Sequence, residues 1–362
     1  MTRILHTADV HLRPDADERL AALEAVLAEA EAVEADVVTI GGDLFDTDGA
    51  AERLRTVLRS VFADRPFETY VIPGNHDRTA FEGDVHFGET VVPATDDPYG
   101  DYRVDGTRIV TVSYQPGLTD DLRAALEDRE TYGGPECLLL HCSLEARMAD
   151  ITGDEDEVNY FPVTEGELAQ LDFEYYLAGH YHSRGRVDLP NGGTFVYSGT
   201  PASVTRAETG RRAVALLDTD EETLTFPELD TRYAAVLEET VMPGQEDELI
   251  EAIRSRCETW RGDDVAARLD LDGFTERGES TFREDVLATT GDLDVELDYG
   301  VRTVEDLLEH PIYREFAERL AKRDDIRANT IGDDYDLESF HEDVKRRVME
   351  VCTELASEGR LS

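Results

Sequence analysis

Residues 3–11 read RILHTADVH, a short run of strand-forming residues that ends in an aspartate and a histidine. The apolar run predicts a buried strand over residues 3–8, which delivers Asp9 and His11 to its carboxyl end. An alanine- and leucine-rich amphipathic helix is predicted to follow, over residues 17–35. A strand followed by a helix is the beginning of a βαβ unit, which is typical of α/β folds.

The same alternation continues after the first helix. The predicted elements are a strand over residues 36–40 that leads to Asp43, a helix over 51–62 and a strand over 69–72 that leads to residues 75–77, Asn-His-Asp. Open α/β sheets place their functional sites in loops at the carboxyl ends of the strands. These polar residues therefore mark a candidate site.

Two later strands also end in histidines. Residues 137–140 precede His141, and residues 173–178 precede Gly179-His180-Tyr181-His182. A hairpin is predicted over residues 103–112 around Asp105-Gly106, with further strands over 194–197 and 212–217. The mixture of parallel-type and hairpin strands predicts an α/β fold of two packed sheets flanked by helices, which ends near Leu229.

The pattern changes from Tyr233 onward. Strands are predicted over residues 234–241, 265–271 and 293–299, and helices over 247–260 and 281–289, which together form a small α+β module. Two more helices are predicted over 304–323 and 337–357. The predicted domains are therefore residues 1–229, residues 230–300 and a helical tail over 301–362.

The chain is strongly acidic but not of disordered composition. It has 82 Asp and Glu against 35 Lys and Arg, a formal net charge of −47, and yet 40% of its 362 residues are hydrophobic. Lysine occurs only at Lys322 and Lys345. An acid-rich, lysine-poor surface indicates a halophilic protein, because charges are screened within about 3 Å at 1 M ionic strength. In such salt the acidic charge does not exclude DNA as a partner, since counterion release then contributes little for any protein.

The four cysteines and the hydropathy pattern bear on location. Cys137, Cys142, Cys257 and Cys352 form no CxxC pair, which predicts a reduced, intracellular protein without a structural zinc site. No apolar stretch approaches membrane-spanning length, and the N-terminus lacks a signal-peptide pattern. We expect a soluble, cytoplasmic protein.

The polar motifs contain the ligand types of a two-metal site. Two divalent cations need a shared ligand, and a carboxylate with two oxygens suits that role, for which Asp43 is the candidate. The predicted ligand sets are Asp9, His11 and His182 for one ion, and Asn75, His141 and His180 for the other. A mixed imidazole, carboxylate and amide set suits Mn²⁺, with Fe²⁺, Zn²⁺ or Co²⁺ possible by geometry. Such a site activates water and neutralises charge on a phosphate during in-line displacement.

Two neighbours of Asn75 have predicted roles off the metal. His76 is predicted to stabilise transition-state charge or to protonate the leaving oxygen. Asp77 is predicted to orient an imidazole as an outer partner. Each motif alone also fits a purely structural interpretation. A lone histidine after a strand is usually structural, and Gly-Asn-His-Asp is typical of a turn. Five motifs in series favour the metal site, whereas the structural interpretation is preferred for His6, His86, His310 and His341.

These residues resemble the calcineurin-like metallophosphoesterase superfamily in order and content. The opening residues 4–12, ILHTADVHL, more specifically resemble the DNA repair nuclease SbcD and its relatives, the meiotic recombination eleven nucleases. Residues 42–46, GDLFD, and residues 197–201, YSGTP, followed by Glu208, carry the same resemblance. Residues 233–299, with ARLDLDG at 267–273, are similar to the capping domain of that family.

The resemblance implies a four-layer αββα metallophosphoesterase sandwich with a small α+β capping domain and a helical C-terminal tail. It implies an Mn²⁺-dependent DNA exonuclease and endonuclease that acts on DNA ends in double-strand break repair, forms homodimers and works with an SbcC-type coiled-coil ABC ATPase. Carried over by motif, His76 is the catalytic histidine, and the metal ligands are Asp9, His11, Asp43, Asn75, His141, His180 and His182. Arg13 departs from the usual glycine, and the stretch from His76 to His141 is short, so substrate preference is the least specified property.

Two other functions fit the same motifs. One is a phosphodiesterase or phosphatase for nucleotides or other small phosphoesters, against which the capping-like module argues. The other is a scaffold for DNA ends or the ATPase, against which the complete ligand set argues. In the tail, Leu307, Leu308, Phe316 and Leu320 are equally compatible with attachment to an ATPase coiled coil and with packing on the nuclease domain. The helix over residues 51–62 is the dimer contact that the resemblance implies.

Overall fold

The structure is a computed structural model that describes residues 2–83, 86–144, 160–309 and 311–321, together with residues 344, 347, 348, 351–353 and 355. The chain divides into two compact units, Met1–Ala234 and Ala235–Ser362. This division falls a few residues after the boundary predicted at residue 229. A separate domain over residues 301–362 stays a prediction.

The first unit is built from fourteen strands and four helices among its described residues. The strands are β1 (Arg3–Thr7), β2 (Val37–Ile40), β3 (Glu68–Val71), β4 (Val91–Pro93), β5 (Gly100–Val104), β6 (Thr107–Thr111), β7 (Glu136–His141), β8 (Ser143–Leu144), β9 (Pro162–Val163), β10 (Tyr175–Gly179), β11 (Gly185–Asp188), β12 (Thr194–Tyr197), β13 (Ala215–Asp218) and β14 (Thr223–Thr225). The helices are α1 (Asp17–Ala32), α2 (Asp48–Val61), α3 (Asp120–Glu127) and α4 (Glu165–Leu171).

Twelve of these strands form two six-stranded sheets. The first sheet has the order β14-β13-β1-β2-β3-β4, and the second has the order β11-β12-β10-β7-β6-β5. In each sheet four neighbouring strands run parallel: β1 to β4 in the first and β12, β10, β7 and β6 in the second. The predicted hairpin is present as the antiparallel pair β5 and β6.

Three apolar layers hold the sheets and helices together. Residues of both sheets, among them Ile4, Ile109 and Leu139, form the core between the sheets. Leu23 of α1 and Leu58 of α2 pack on the outer side of the first sheet, and α3 and α4 pack on the second sheet in the same way. Full burial of such a side chain is worth about 1.5–3 kcal/mol. The layers confirm the predicted sandwich of two sheets between helices.

Local signals place several of these elements. In α1 the buried residues Leu23, Val26, Leu27 and Ala30 recur at helical spacing, as the sequence predicts. Thr164 and Glu167 form a capping box at the start of α4, in which each side chain accepts the other residue's backbone N–H. The short strands β4, β8, β9, β11 and β14 and helix α3 are additional to the predicted elements.

The second unit is a three-stranded sheet with helices, as predicted for the α+β module. Its strands are β15 (Tyr233–Val241, which starts at the division), β16 (Val265–Thr275) and β17 (Val295–Thr303), in the order β15-β16-β17. Helices α5 (Glu246–Trp260) and α6 (Glu279–Thr290) connect them, and β16 and β17 are parallel. Buried side chains such as Ile253 and Phe282 give the unit its own core.

The predicted helix over residues 304–323 is instead two helices, α7 (Val304–Glu309) and α8 (Pro311–Ala321). Proline is favoured at a first helical position, which explains why α8 begins at Pro311. Most of the helix predicted over 337–357 lies outside the described residues. In the part of the chain that the structure describes, every helix is too short or too polar to span a bilayer.

Candidate metal centre

Loops at the carboxyl ends of five strands meet at one edge of the sandwich. Thr7, Ile40 and Val71 are in register at the ends of β1, β2 and β3, so the following loops begin at the same level. In the second sheet, His141 of β7 is in register with Gly179 of β10. The predicted site residues of both sheets therefore lie at this edge.

Hydrogen bonds tie the two sheets together at this edge. The His180 backbone N–H donates to both carboxylate oxygens of Asp9, at 3.1 and 3.0 Å. His141 Nδ1 donates to the carbonyl of Gly41 at 2.8 Å. A Cβ atom at Gly42 would overlap the His141 imidazole, and one at Gly74 would overlap Asp43. Glycine is therefore required sterically where the two loops approach the ligands.

The predicted ligand atoms converge in three overlapping groups. Within each group, one ligand atom from every residue lies within 4.8 Å of the others. The groups are Asp9, His11 and His182; His11, Asp43 and His76; and Asp9, Asp43 and His141. Asp9, His11 and Asp43 each belong to two groups, and of these Asp9 and Asp43 have the two carboxylate oxygens that a shared ligand needs. His76, which is predicted to act off the metal, also joins one group.

Asp43 lies where a bridging ligand is needed. Its Oδ2 is 3.5 Å from Nε2 of His141 and 4.0 Å from Nε2 of His11, which belong to the two different predicted ligand sets. Its Oδ1 accepts the backbone N–H of His76 at 2.9 Å. One oxygen is thus fixed by the protein and the other faces both imidazoles.

The donor set fits divalent cations. Because a carbonyl only accepts, His141 Nδ1 carries the proton and Nε2 presents a lone pair, 2.9 Å from Oδ1 of Asn75. In the ligand set of Asp9, His11 and His182, Nε2 of His11 and Nε2 of His182 lie 3.2 Å apart. Because Nδ1 of His182 donates to Glu208, Nε2 of His182 carries a lone pair, which can accept either a proton of His11 or a cation. The residues therefore suit two metal ions.

Burial keeps these imidazoles in the neutral form that binds metals. It lowers the pKa of His11 and of His141, and it lowers the pKa of His180 to about 3, with the neighbouring His141 as the second cause. Burial opposes ionisation of Asp43, but attraction to His141 and His11 in their protonated forms, together with the His76 backbone N–H, outweighs burial and lowers the pKa of that carboxyl group. The centre thus combines neutral nitrogen ligands with a carboxylate.

The backbone is strained at four of the predicted ligands. Asp9, His11, Asp43 and His180 have positive φ angles of 54°, 50°, 49° and 111°. Non-glycine residues rarely adopt this region, and such conformations cost of order 1–3 kcal/mol each. The surrounding fold therefore holds these side chains in place against their local preference.

His76 is exposed beside the ligands. Its Nδ1 donates to the carbonyl of Asp46 at 3.2 Å, which leaves Nε2 as the nitrogen that can exchange a proton. Its ring meets the His11 ring edge-on, with 4.8 Å between the centroids. Asp46 Oδ1 accepts a hydrogen bond from Arg19 Nη1 at 3.1 Å and lies 3.6 Å from His11 Nδ1. Asp46 therefore contacts both His11 and His76.

Asp77 does not act as the sequence suggested. Its fully buried carboxyl group accepts the backbone N–H groups of Gly74 at 2.7 Å and Phe45 at 3.1 Å, instead of orienting an imidazole. Burial, with Asp43 nearby, raises the pKa of Asp77 to about 8. Asp77 fixes the loops that carry Asp43 and Asn75 relative to each other.

The carboxylate that orients a ligand imidazole is Glu208. Its Oε1 accepts from His182 Nδ1 at 2.9 Å. Burial opposes ionisation of this carboxyl group, but His182 and the amides of Val204 and Thr205 outweigh it and lower its pKa to about 2. In the sequence, Glu208 is connected only with the resemblance, because no local spacing links it to His182.

The remaining histidines lie apart from the centre or outside the description. His6 is fully buried in β1, with Nδ1 at 3.0 Å from Thr39 Oγ1 and Nε2 at 3.0 Å from the Ala178 carbonyl, as the structural interpretation predicts. Burial lowers its pKa to about 4. His86 is exposed, and His310 and His341 lie outside the described residues.

The chain is similar to several solved structures, two of which are phosphatases. The chain is similar to a Thermus thermophilus protein, TT1561, with 16% identity, a TM-score of 0.42 and coverage of 63% of this chain and 98% of that chain. The chain is 12% identical to a dimetal phosphatase from Danio rerio, with a TM-score of 0.44 and coverage of 63% of this chain and 96% of that chain. It is also 12% identical to the purple acid phosphatase PPD1 from yellow lupin seeds, with a TM-score of 0.42 and coverage of 62% of this chain and 52% of that chain. No curated protein matches the chain in sequence.

The family match is more direct. The sequence model of the calcineurin-like phosphoesterases matches residues 2–184, about half of the chain. That segment runs from the first strand to just beyond His182, and so includes all seven predicted ligands and His76. The chain belongs to the calcineurin-like phosphoesterase family, and this membership indicates a metal-dependent phosphoester hydrolase with two divalent cations.

Proposed function

We propose that this protein is an Mn²⁺-dependent DNA exonuclease and endonuclease of the SbcD type. It hydrolyses phosphodiester bonds at DNA ends in double-strand break repair, in the cytoplasm, with an SbcC-type coiled-coil ABC ATPase. The observation that carries the proposal is the contact between Glu208 and His182. Glu208 belongs to a segment that resembles the nuclease family and lies beyond the matched residues 2–184.

This contact makes the nuclease-like segment part of the metal centre. Glu208 is 4% exposed and accepts four hydrogen bonds, from His182, Thr200, Val204 and Thr205, at 2.8–3.0 Å. Arg212, four residues later, donates to the His182 carbonyl. A carboxylate behind a ligand imidazole fixes its tautomer and raises its basicity. The resemblance to SbcD-type nucleases therefore includes a residue, Glu208, that contacts a predicted metal ligand.

The chain's own residues provide the remaining steps of phosphodiester hydrolysis. Two divalent cations bound to the predicted ligands would supply Lewis-acid activation of water and of the phosphate. His76 stands beside the centre with its Nδ1–H donating to the Asp46 carbonyl; as the imidazolium it carries a second proton, on Nε2, which it can give to the leaving oxygen. The mixed imidazole, carboxylate and amide donors favour Mn²⁺.

Several features support an extended polymer as the substrate. A cavity of about 590 Å³ includes Arg13, Asp46 and Arg53 in its lining, and Asp46 also contacts the histidines of the centre. The α+β fold of the second unit agrees with the capping domain that the resemblance implies. Arg53 in the cavity lining offers a direct phosphate contact, which persists in molar salt because charges in contact are screened less than distant ones.

The partners are part of the same proposal. Val57 on α2 is 41% exposed, which supports α2 as a homodimer contact. Leu308 on α7 is 39% exposed and Phe316 on α8 is half-buried, which supports the tail as the ATPase attachment. The side chains of Leu307 and Leu320 lie outside the described residues.

The test is cleavage of end-labelled duplex and hairpin DNA in molar KCl, with and without Mn²⁺, beside a small phosphodiester. Mn²⁺-dependent digestion of DNA is the expected result, and the labelled products give its polarity. Because the ATPase can be required, the same reactions are run with the ATPase added. Hydrolysis of the small ester with no DNA cleavage in either series would overturn the proposal in favour of a small-phosphoester enzyme.

A further inference from the structure

Arg78 and Tyr114 form a cation–π pair beside the metal centre. The Arg78 guanidinium carbon lies 4.7 Å from the centroid of the Tyr114 ring, and its Nη2 donates to the Tyr114 hydroxyl at 3.3 Å. Arg78 follows His76 by two residues in the loop after β3, whereas Tyr114 lies just beyond the end of β6. The pair therefore joins loops from the two sheets.

The pair lies next to the half of the centre that contains His141. The Tyr114 ring meets the His141 ring edge-on, with 6.2 Å between the centroids, and Tyr160 lies at the same distance from Tyr114. Tyr114 is half-buried against the core of the second sheet, while Arg78 is exposed. A rigid ring thus supports an exposed cation within a short distance of the metal ligands.

Arg78 differs from Arg13 and Arg19, two other arginines near the site, in its partners. Arg19 and Arg13 are paired with the carboxylates of Asp46 and Asp15. Among the described residues, no carboxylate forms an ion pair with Arg78, although acidic residues outnumber basic ones by more than two to one in the chain. Its charge is available to an anion, and its planar donors match a phosphate.

We propose that Arg78 binds a second phosphate of the substrate, adjacent to the phosphate at the metal centre, and that Tyr114 positions its guanidinium. This inference rests on the proposed function, because only a substrate with two or more phosphates can use the contact. Arg78 then selects oligonucleotides over single phosphoesters. Tyr114 acts through Arg78 and does not itself contact the reacting atoms.

The test pairs protein variants with trinucleotides of thymidine. The native trinucleotide TpTpT has two charged linkages, and in two analogues one linkage is a neutral methylphosphonate that resists hydrolysis. Each analogue therefore retains one cleavable phosphate and lacks charge on the other. Wild-type protein with Mn²⁺ in molar KCl is expected to lose about tenfold in kcat/KM with one analogue, which corresponds to one charge-assisted hydrogen bond. In Arg78→Ala this discrimination between native and analogue disappears, mainly through KM.

Binding gives a readout that does not depend on turnover. Native and analogue trinucleotides compete with a fluorescent oligothymidylate for His76→Ala protein, and the same competition is repeated in the Arg78→Ala, His76→Ala double variant. The discrimination in affinity is expected only when Arg78 is present. Tyr114→Leu should reduce it as Arg78→Ala does, and Tyr114→Phe, which keeps the ring, should retain most of it. Combining Arg78→Ala with Tyr114→Leu should cause no further loss.

Arg103→Ala, which removes an exposed arginine of β5 that lies 5.6 Å from the centroid of the Tyr132 ring, is the matched control and should keep the discrimination of wild-type protein. If Arg78→Ala retains the full discrimination, or wild-type protein shows none, the Arg78 site is wrong. Failure of the nuclease proposal is separate: wild-type protein would cleave trinucleotides with the expected discrimination but leave duplex and hairpin DNA intact. Absence of both cleavage and binding of TpTpT would overturn the two proposals together.

Discussion

His141 and His182 are ligands of the two different predicted metal sites, and the protein holds them by different means. His141 donates to a backbone carbonyl, that of Gly41, whereas His182 donates to the Glu208 carboxylate. The first contact depends on the path of the chain through Gly41 and Gly42 and has no side chain to remove. The second depends on one charged side chain. One half of the centre is therefore fixed by the backbone and the other by a carboxylate.

Loss of Asp43 should abolish both halves at once. Its Oδ2 faces His141 on one side and His11 on the other, so Asp43→Ala removes the ligand that the two sites share. We expect the bound metal to fall well below two ions and activity to drop by more than about 10⁴-fold, since a metal ion supplies several kcal/mol of transition-state stabilisation. Metal analysis after desalting and hydrolysis of a phosphodiester measure the two effects. Glu24→Gln, on an exposed position of α1, is the control, and two retained ions would contradict the bridging role.

His76 should separate chemistry from metal binding. His76→Ala removes the proposed proton donor but none of the seven predicted ligands, so activity should fall by about 10²–10⁴-fold with both metals and DNA binding retained. Kinetics and metal content measured on the same preparation check this expectation. Retained activity would remove His76 from the mechanism. Loss of one ion would instead make it a ligand, as its place in a group with His11 and Asp43 allows.

Glu208 provides the direct test of the comparison. Glu208→Gln keeps the shape of the side chain but removes the charge behind His182, so one of the two metal affinities should weaken by about 10–100-fold. The other affinity should stay unchanged because the Gly41 carbonyl still holds His141. Titration of metal-depleted protein with Mn²⁺ should resolve a tight and a weakened site, and activity should recover at high Mn²⁺.

Glu228→Gln is the matched control, because Glu228 is an exposed glutamate of the same unit that is not part of the centre. Equal weakening of both Mn²⁺ sites in Glu208→Gln would show that the two halves are not held independently. Unchanged Mn²⁺ affinities would show that a neutral acceptor, like the Gly41 carbonyl behind His141, is sufficient to hold His182 as well.

The sequence predicts the ligands better than their supports, and the reason is distance along the chain. Asp9, Asp43 and His141 each follow a buried strand, and parallel strands bring their carboxyl ends together, so local patterns predict that these residues meet at one edge. By contrast, Glu208 is 26 residues from His182, and Arg78 is 36 residues from Tyr114. No periodicity connects such pairs, because their contact depends on how the loops fold over the sheet edge.

Asp77 and β4 show two other limits of prediction. The Gly-Asn-His-Asp motif identifies Asp77 as functional, but it cannot tell a carboxylate that orients an imidazole from one that accepts buried backbone N–H groups. Strand β4 has only three residues and lies at the edge of its sheet, so it has too few residues to show an alternating pattern. Both features are set by tertiary packing.

The smallest expected effect concerns two glycines close in sequence. A Cβ at Gly42 would overlap His141, and Gly42 has a φ of 99°, whereas a Cβ at Gly49 in α2 would meet open space. Gly49→Ala should therefore raise the free energy of unfolding by about 0.5–1 kcal/mol, because alanine loses less backbone entropy in a helix. Gly42→Ala should lower it, since the substitution adds strain and displaces the ligand that the backbone holds. Denaturant unfolding in molar KCl measures both, and equal effects of the two substitutions would contradict a glycine requirement at the His141 half of the centre.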